Sequence, residues 1–119
     1  MLLDMVDKVV DLNVVKDCRF RIEHAQHLAP GAANRFGKQG IIASVQPDHL
    51  LDDADSAAKK IGFDRAKRNS YTFRSLLACG AQLAFGSDWP VRNSADVSVT
   101  EICFFSYQIH CSCFAGFEP

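Results

Sequence analysis

The chain has 119 residues, enough for one domain with a core of modest size, and 48% of them are hydrophobic. Thirteen basic side chains against fourteen acidic ones leave a formal charge of −1, so no field steers it toward nucleic acid or an anionic membrane. Asp4 and Asp7 interrupt the amino-terminal apolar run, which does not read as a secretory signal, and no stretch is long and apolar enough to cross a bilayer.

Leu3, Val6, Val9, Val10 and Val14 recur at three- and four-residue steps among Asp4, Asp7, Lys8 and Asp11, predicting an amphipathic helix over 2–15. A strand is expected over 18–25, where Phe20 and Ile22 alternate with charged residues before His24. Pro30-Gly31 opens a short helix through Ala32, Arg35 and Phe36, and Gly40 ends it. Residues 41–45 read as a compact buried strand closed by Gln46-Pro47. The polar stretch 48–69 is expected to be a loop carrying a helical turn or two. Its Lys59, Lys60, Arg65, Lys67 and Arg68 are interleaved with acids and lack stacking aromatics, which fits a solvated surface better than a nucleic-acid patch. Ser70 is the expected N-cap of a helix containing Phe73, Leu76 and Leu77 that Gly80 terminates. A last strand, 82–85, runs into Gly86-Ser87-Asp88, and Trp89-Pro90 stops it.

This alternation of strands and helices calls for parallel strands with crossover helices, in a doubly wound sheet or part of a barrel. Beyond Arg92 the periodicity fails, so 1–92 is the expected structured part and 93–119 a divergent, irregular tail. The five cysteines are an odd number. Cys18 and Cys79 stand in apolar surroundings and read as buried free thiols, which points to a reducing, cytoplasmic compartment. In the tail, His110-Cys111-Ser112-Cys113 is spaced too tightly for an ordinary zinc site.

Two segments carry chemistry. Arg21-Ile22-Glu23-His24-Ala25-Gln26 and Gly86-Ser87-Asp88-Trp89-Pro90-Val91 each place a metal-capable side chain where an apolar strand ends, the arrangement by which a barrel enzyme gathers ligands on one rim. His24 and Asp88 are therefore the expected metal-site pair of a metallohydrolase. His49 follows a third strand end on the same side and is expected either to bind substrate at the mouth of the site or to be a plain loop residue. His27 reads as a surface or supporting residue, and Arg74 as a group for an acidic substrate or a solubilising residue. Glu23 is expected to pair with Arg21 or a neighbour.

Residues 19–91 resemble the amidohydrolase superfamily, in particular its amidohydrolase 3 or YtcJ-like branch of metal-dependent hydrolases. The resemblance rests on four blocks in order, Arg21–Gln26, Ala43–His49, Phe73–Leu77 and Gly86–Val91. It implies part of a (β/α)8 barrel, namely its sixth, seventh and eighth strands, and hydrolysis of carbon–nitrogen bonds other than peptide bonds in an amide-like small molecule. By position, His24 corresponds to the sixth-strand ligand, which binds a second metal or helps to polarise the substrate, and Asp88 to the eighth-strand carboxylate that touches the metal and exchanges a proton with its water. One or two divalent ions, zinc first among them, are implied. The family's His-x-His pair and the ligands of its fourth and fifth strands have no counterpart here, so the chain is expected to be an incomplete fragment, inactive alone. The competing expectation is a non-catalytic remnant or interaction module descended from such an enzyme.

Overall fold

The computed structural model describes residues 2–13, 17–53 and 56–88. Its elements are, in order, α1 (Leu2–Asn13), β1 (Arg21–Glu23), α2 (Ala32–Gln39), β2 (Ile42–Val45), α3 (Asp48–Asp53), α4 (Ala57–Ile61), α5 (Phe63–Asn69), α6 (Phe73–Ala78) and β3 (Gln82–Phe85). The three strands form one sheet in the order β1-β2-β3, and both pairings are parallel. Ile22 stands beside Ala43, and Ala43 beside Leu83. Every connection is consequently a crossover that returns the chain to the same end of the sheet, and all three strands deliver their following residues to one rim.

Burial is concentrated on β2, the central strand. Ile41, Ala43 and Val45 are fully buried, together with Leu76 of α6, and Phe36 of α2 is almost so. A mostly apolar run, broken here only by Ser44, is what the central strand of a parallel sheet calls for. Gly37 permits the close approach of α2 to α6. A Cβ there would stand 1.8 Å from the backbone oxygen of Cys79, so any side chain would have to push the two helices apart. Gly40 adopts φ 64° and donates its N–H to the carbonyls of Gly37 and Phe36, the left-handed helix ending for which glycine is suited.

α1 is attached differently. Its one buried residue is Val6, and Arg35 of α2 binds it through Asp4 at 2.7 Å and Asp7 at 2.8 Å. Leu2, Met5, Val9 and Leu12 remain exposed.

Several sequence expectations need correction. The strand expected over 18–25 is only Arg21–Glu23, because Arg19, His24 and Ala25 all take positive φ, outside the extended region. The stretch expected to be a loop with a helical turn or two holds the three short helices α3, α4 and α5, with Gly62 at φ 85° allowing the break between the last two. Ser70 is not an N-cap. It closes α5, while Thr72 precedes α6 without a side-chain cap, and the Ser70 hydroxyl lies 2.9 Å from His27 Nδ1 instead. Cys18 is half-buried and Cys79 exposed, so neither is the buried thiol expected; Cys79 sits at the carboxyl end of α6, turned away from the core. The expectations for 93–119, including the His110, Cys111 and Cys113 cluster, lie outside the described residues.

Candidate metal centre

The rim at the carboxyl ends of the strands is built by three different chain turns. After β1, the N–H of Ala25 reaches back to the carbonyl of Glu23 at 2.9 Å, a three-residue γ-turn centred on His24 at φ 67°. Such a turn is strained for a residue with a side chain, and it swings the imidazole off the strand onto the rim. After β2, Gln46-Pro47 leads into α3, where the N–H of His49 meets the Gln46 carbonyl at 3.2 Å. After β3, the N–H of Gly86 still pairs with the Val45 carbonyl at 3.0 Å, and two residues later Asp88 adopts φ 58°. Among the described residues, five non-glycine positions have positive φ, and four of them, His24, Ala25, Tyr71 and Asp88, lie in or against this rim. Backbone strain of this kind persists where surrounding structure over-determines it.

The three side chains converge. Asp88 Oδ2 lies 4.0 Å from His24 Nε2 and 3.8 Å from His49 Nε2, and the two imidazoles stack with centroids 5.8 Å apart. One potential donor atom from each residue falls within 4.8 Å of the others. Two donors held at about 2.1 Å by one tetrahedral zinc-like ion stand about 3.4 Å apart, so each Asp88–histidine pair would have to close by roughly half an ångström to share a cation. Two ring nitrogens, His24 Nδ1 and His49 Nε2, are buried without a hydrogen-bond partner among the described residues. Unpaired buried polar atoms of this sort are what an ion or a polar ligand would satisfy. Imidazole and carboxylate together form the donor set that zinc-like divalent ions accept.

Behind His49 runs a chain of polar side chains that sequence reasoning missed. Gln26 Nε2 donates to the Tyr71 hydroxyl at 2.7 Å and lies 3.5 Å from His49 Nδ1. The Tyr71 hydroxyl donates to Asp53 Oδ2 at 2.6 Å. Asp53 also accepts from Ser56 Oγ and faces Lys60 Nζ. The Tyr71 hydrogen bond, followed by Lys60 and Ser56, holds the Asp53 carboxyl below its ordinary pKa against some desolvation. Burial, reinforced by Asp53, pushes the Tyr71 phenol well above its usual value. The backbone ties these groups together as well, since the N–H of Tyr71 meets the Gln26 carbonyl at 2.6 Å and the N–H of Leu28 the Asn69 carbonyl at 2.7 Å. Gln26 stands inside the first sequence block, yet nothing in the pattern announced its partners. Tyr71 and Asp53 gave no signal because their role depends on the fold between β2 and β3.

The remaining expected residues lie elsewhere. His27 is bonded to Ser70 and packs edge-on against Tyr71 at 5.9 Å, a supporting position. Glu23 pairs with Arg21, and its lowered pKa comes first from the Ser44 hydroxyl beside it on β2, then from Arg21. Arg74 is exposed on α6.

Imidazole and carboxylate groups converge at the carboxyl ends of the parallel strands, the placement that metal hydrolases built on such strands use. The family comparison agrees: the model of the amidohydrolase family designated Amidohydro_3 matches residues 1–106, and the chain belongs to this family. Protein LONG AFTER FAR-RED 3 of Arabidopsis thaliana is 67% identical over 91 residues, which cover 76% of this chain and 16% of that protein. The chain thus spans 16% of the length of the curated relative it matches. An uncharacterized metal-dependent hydrolase from Pyrococcus horikoshii OT3 superposes with a TM-score of 0.61 and 26% identity, over 77% of this chain and 18% of that one. A second, from Pyrococcus furiosus, superposes with a TM-score of 0.59 over 92% of this chain and 27% of its own, and at 20% identity it speaks for the fold alone. Among the described residues no helix is long and apolar enough to cross a membrane.

Proposed function

We propose that this chain is the segment of a (β/α)8 barrel carrying its last three strands, in a hydrolase that cleaves carbon–nitrogen bonds other than peptide bonds in amide-like small molecules. His24 and Asp88 are the ligands it contributes to a divalent metal, with zinc the ion that best suits the donors, and His49 binds substrate. The observation that carries this reading is the meeting of His24, His49 and Asp88 beyond three adjacent parallel strands. The sequential strand order supports a barrel segment, because barrels place successive parallel strands side by side.

When bound, a divalent ion lowers the pKa of water toward neutrality and polarises a carbonyl. The side chains supply the rest. Asp88, 35% exposed and two residues beyond Gly86, can take the proton of the attacking water on a carboxylate oxygen and return it to the departing amine. His24 would hold the ion together with Asp88. His49, with its side chain 16% exposed, faces the reacting group from a drier position.

Catalytic zinc is normally held by three protein ligands, and His24 and Asp88 are two. The 119-residue chain by itself is therefore expected to bind zinc weakly and reversibly and to turn over no amide. Zinc titration followed by dialysis and metal analysis tests the assignment. Weak binding that disappears in His24→Ala and in Asp88→Asn supports it. Binding indifferent to both substitutions overturns the ligand assignment, and a stoichiometric ion surviving dialysis overturns the partial-site reading.

A further inference from the structure

The polar chain behind His49 has a direction, and that direction bears on where the His49 proton sits. Asp53, held as a carboxylate, can only accept hydrogen bonds. The Tyr71 hydroxyl donates its single proton to Asp53, so toward Gln26 its oxygen can only accept. The Gln26 side chain must then present its NH2 rather than its carbonyl oxygen to Tyr71. That same nitrogen is the atom 3.5 Å from His49 Nδ1, a long contact, so Nδ1 faces a donor and is placed to offer its lone pair. In a neutral imidazole the proton is left on Nε2. This is the buried nitrogen that lacks a hydrogen-bond partner among the described residues and lies 3.8 Å from Asp88.

We propose that the Asp53–Tyr71–Gln26 chain holds His49 as its Nε2–H tautomer, making it a hydrogen-bond donor to the carbonyl oxygen of an amide-like substrate rather than a ligand of the metal. A nitrogen that carries a proton has no lone pair to give a cation, so His49 cannot serve the ion together with His24 and Asp88 while this arrangement stands. It can instead meet the oxygen on which negative charge grows as water adds to the carbonyl, the task of an oxyanion-stabilising donor. His49 keeps its proton throughout, and Asp88 alone shuttles the proton of the water. Gln26, Tyr71 and Asp53 are positioning residues that act through His49. The substrate part of this assignment rests on the hydrolase reading above; the tautomer does not.

The test is a long-range proton–nitrogen NMR spectrum of the histidine rings in the 119-residue chain, recorded above neutral pH where imidazole is uncharged, with Asp53→Asn and Tyr71→Phe in parallel. In Asp53→Asn the new amide could donate to the Tyr71 oxygen, releasing the hydroxyl to donate toward Gln26, whose side chain could then turn over and accept from Nδ1–H. Tyr71→Phe removes the constraint altogether with little change in packing. The parent is expected to show His49 protonated at Nε2. Each variant should raise the Nδ1–H population on the order of fivefold, the change that one neutral hydrogen bond is worth. A parent with the proton on Nδ1, or two folded variants with an unchanged tautomer, overturns the proposal. Adding zinc separates the two readings. If the His24 nitrogens shift while His49 keeps Nε2–H, both stand. A shift of His49 Nε2 to a metal-bound position overturns the donor assignment and leaves the metal site standing. If neither ring responds while the variants still switch the tautomer, the tautomer assignment survives and the metal site falls.

Discussion

The helix-covered side of the sheet and the rim at its carboxyl end are made of the same three strands but follow opposite rules. Behind β2, Phe36, Ile41, Val45 and Leu76 leave almost no exposed surface, and Gly37 lets two helices close to backbone contact. At the rim, His24, Tyr71 and Asp88 hold backbone conformations that side chains disfavour, and two ring nitrogens lack partners among the described residues. The first region lowers the free energy of folding, and the second holds strained, under-satisfied polar groups that only the rest of the structure keeps in place. Stability and chemistry are therefore separable by substitution.

The core half of this contrast gives the largest expected effects. Phe36→Ala should destabilise the chain by about 4 kcal/mol in denaturant unfolding, because it combines lost burial with a cavity at a site that has no solvent to fill it. Gly37→Ala, a change of one methyl group, should cost about 3 kcal/mol because its new carbon meets backbone rather than a yielding side chain. A loss below about 1 kcal/mol in either variant would show that α2 and α6 are not packed as described.

The rim half predicts the opposite sign. His24→Gly removes a side chain from a γ-turn at φ 67° and should stabilise the chain by about 1 kcal/mol, strain relief outweighing the added freedom of the unfolded glycine, while abolishing zinc binding. Destabilisation by this substitution would mean that the turn is not strained. A smaller effect concerns acid. The folded pKa of Asp53 is lowered, first by Tyr71, so its contribution is fully present above the ordinary aspartate pKa and is lost as pH falls through the lower, folded value. Asp53→Asn should therefore flatten the acid limb of the stability–pH curve. An unchanged limb would place the responsible carboxylates elsewhere.

Much of the core is legible in the amino-acid sequence. Gly40 and Gly80 ended their helices as read, and the apolar run 41–45 became the buried central strand, because local chain chemistry is enough for such features. What failed was decided over longer distances. Ser70 carries the side chain of a helix cap, yet its hydroxyl bonds with His27, forty-three positions earlier in the chain. The strand ending at Glu23 is short because His24 leaves it for the rim, a conformation no propensity scale assigns to histidine. His24 and Asp88 could be named from their motifs, and His49 from its place after a strand end. The polar chain from Asp53 to Gln26 could not, since it exists only once α3 and the α5–α6 joint are folded against the turn after β1.

The most direct test of the shared rim is paramagnetic. Manganese(II) added to the isotopically labelled chain should broaden the signals of His24, His49 and Asp88 first and together, and Asp88→Asn should remove that broadening. Broadening that instead centres on the acidic side chains of α1, and is untouched by the Asp88 substitution, would contradict the existence of a common ion-binding site at the carboxyl ends of these strands.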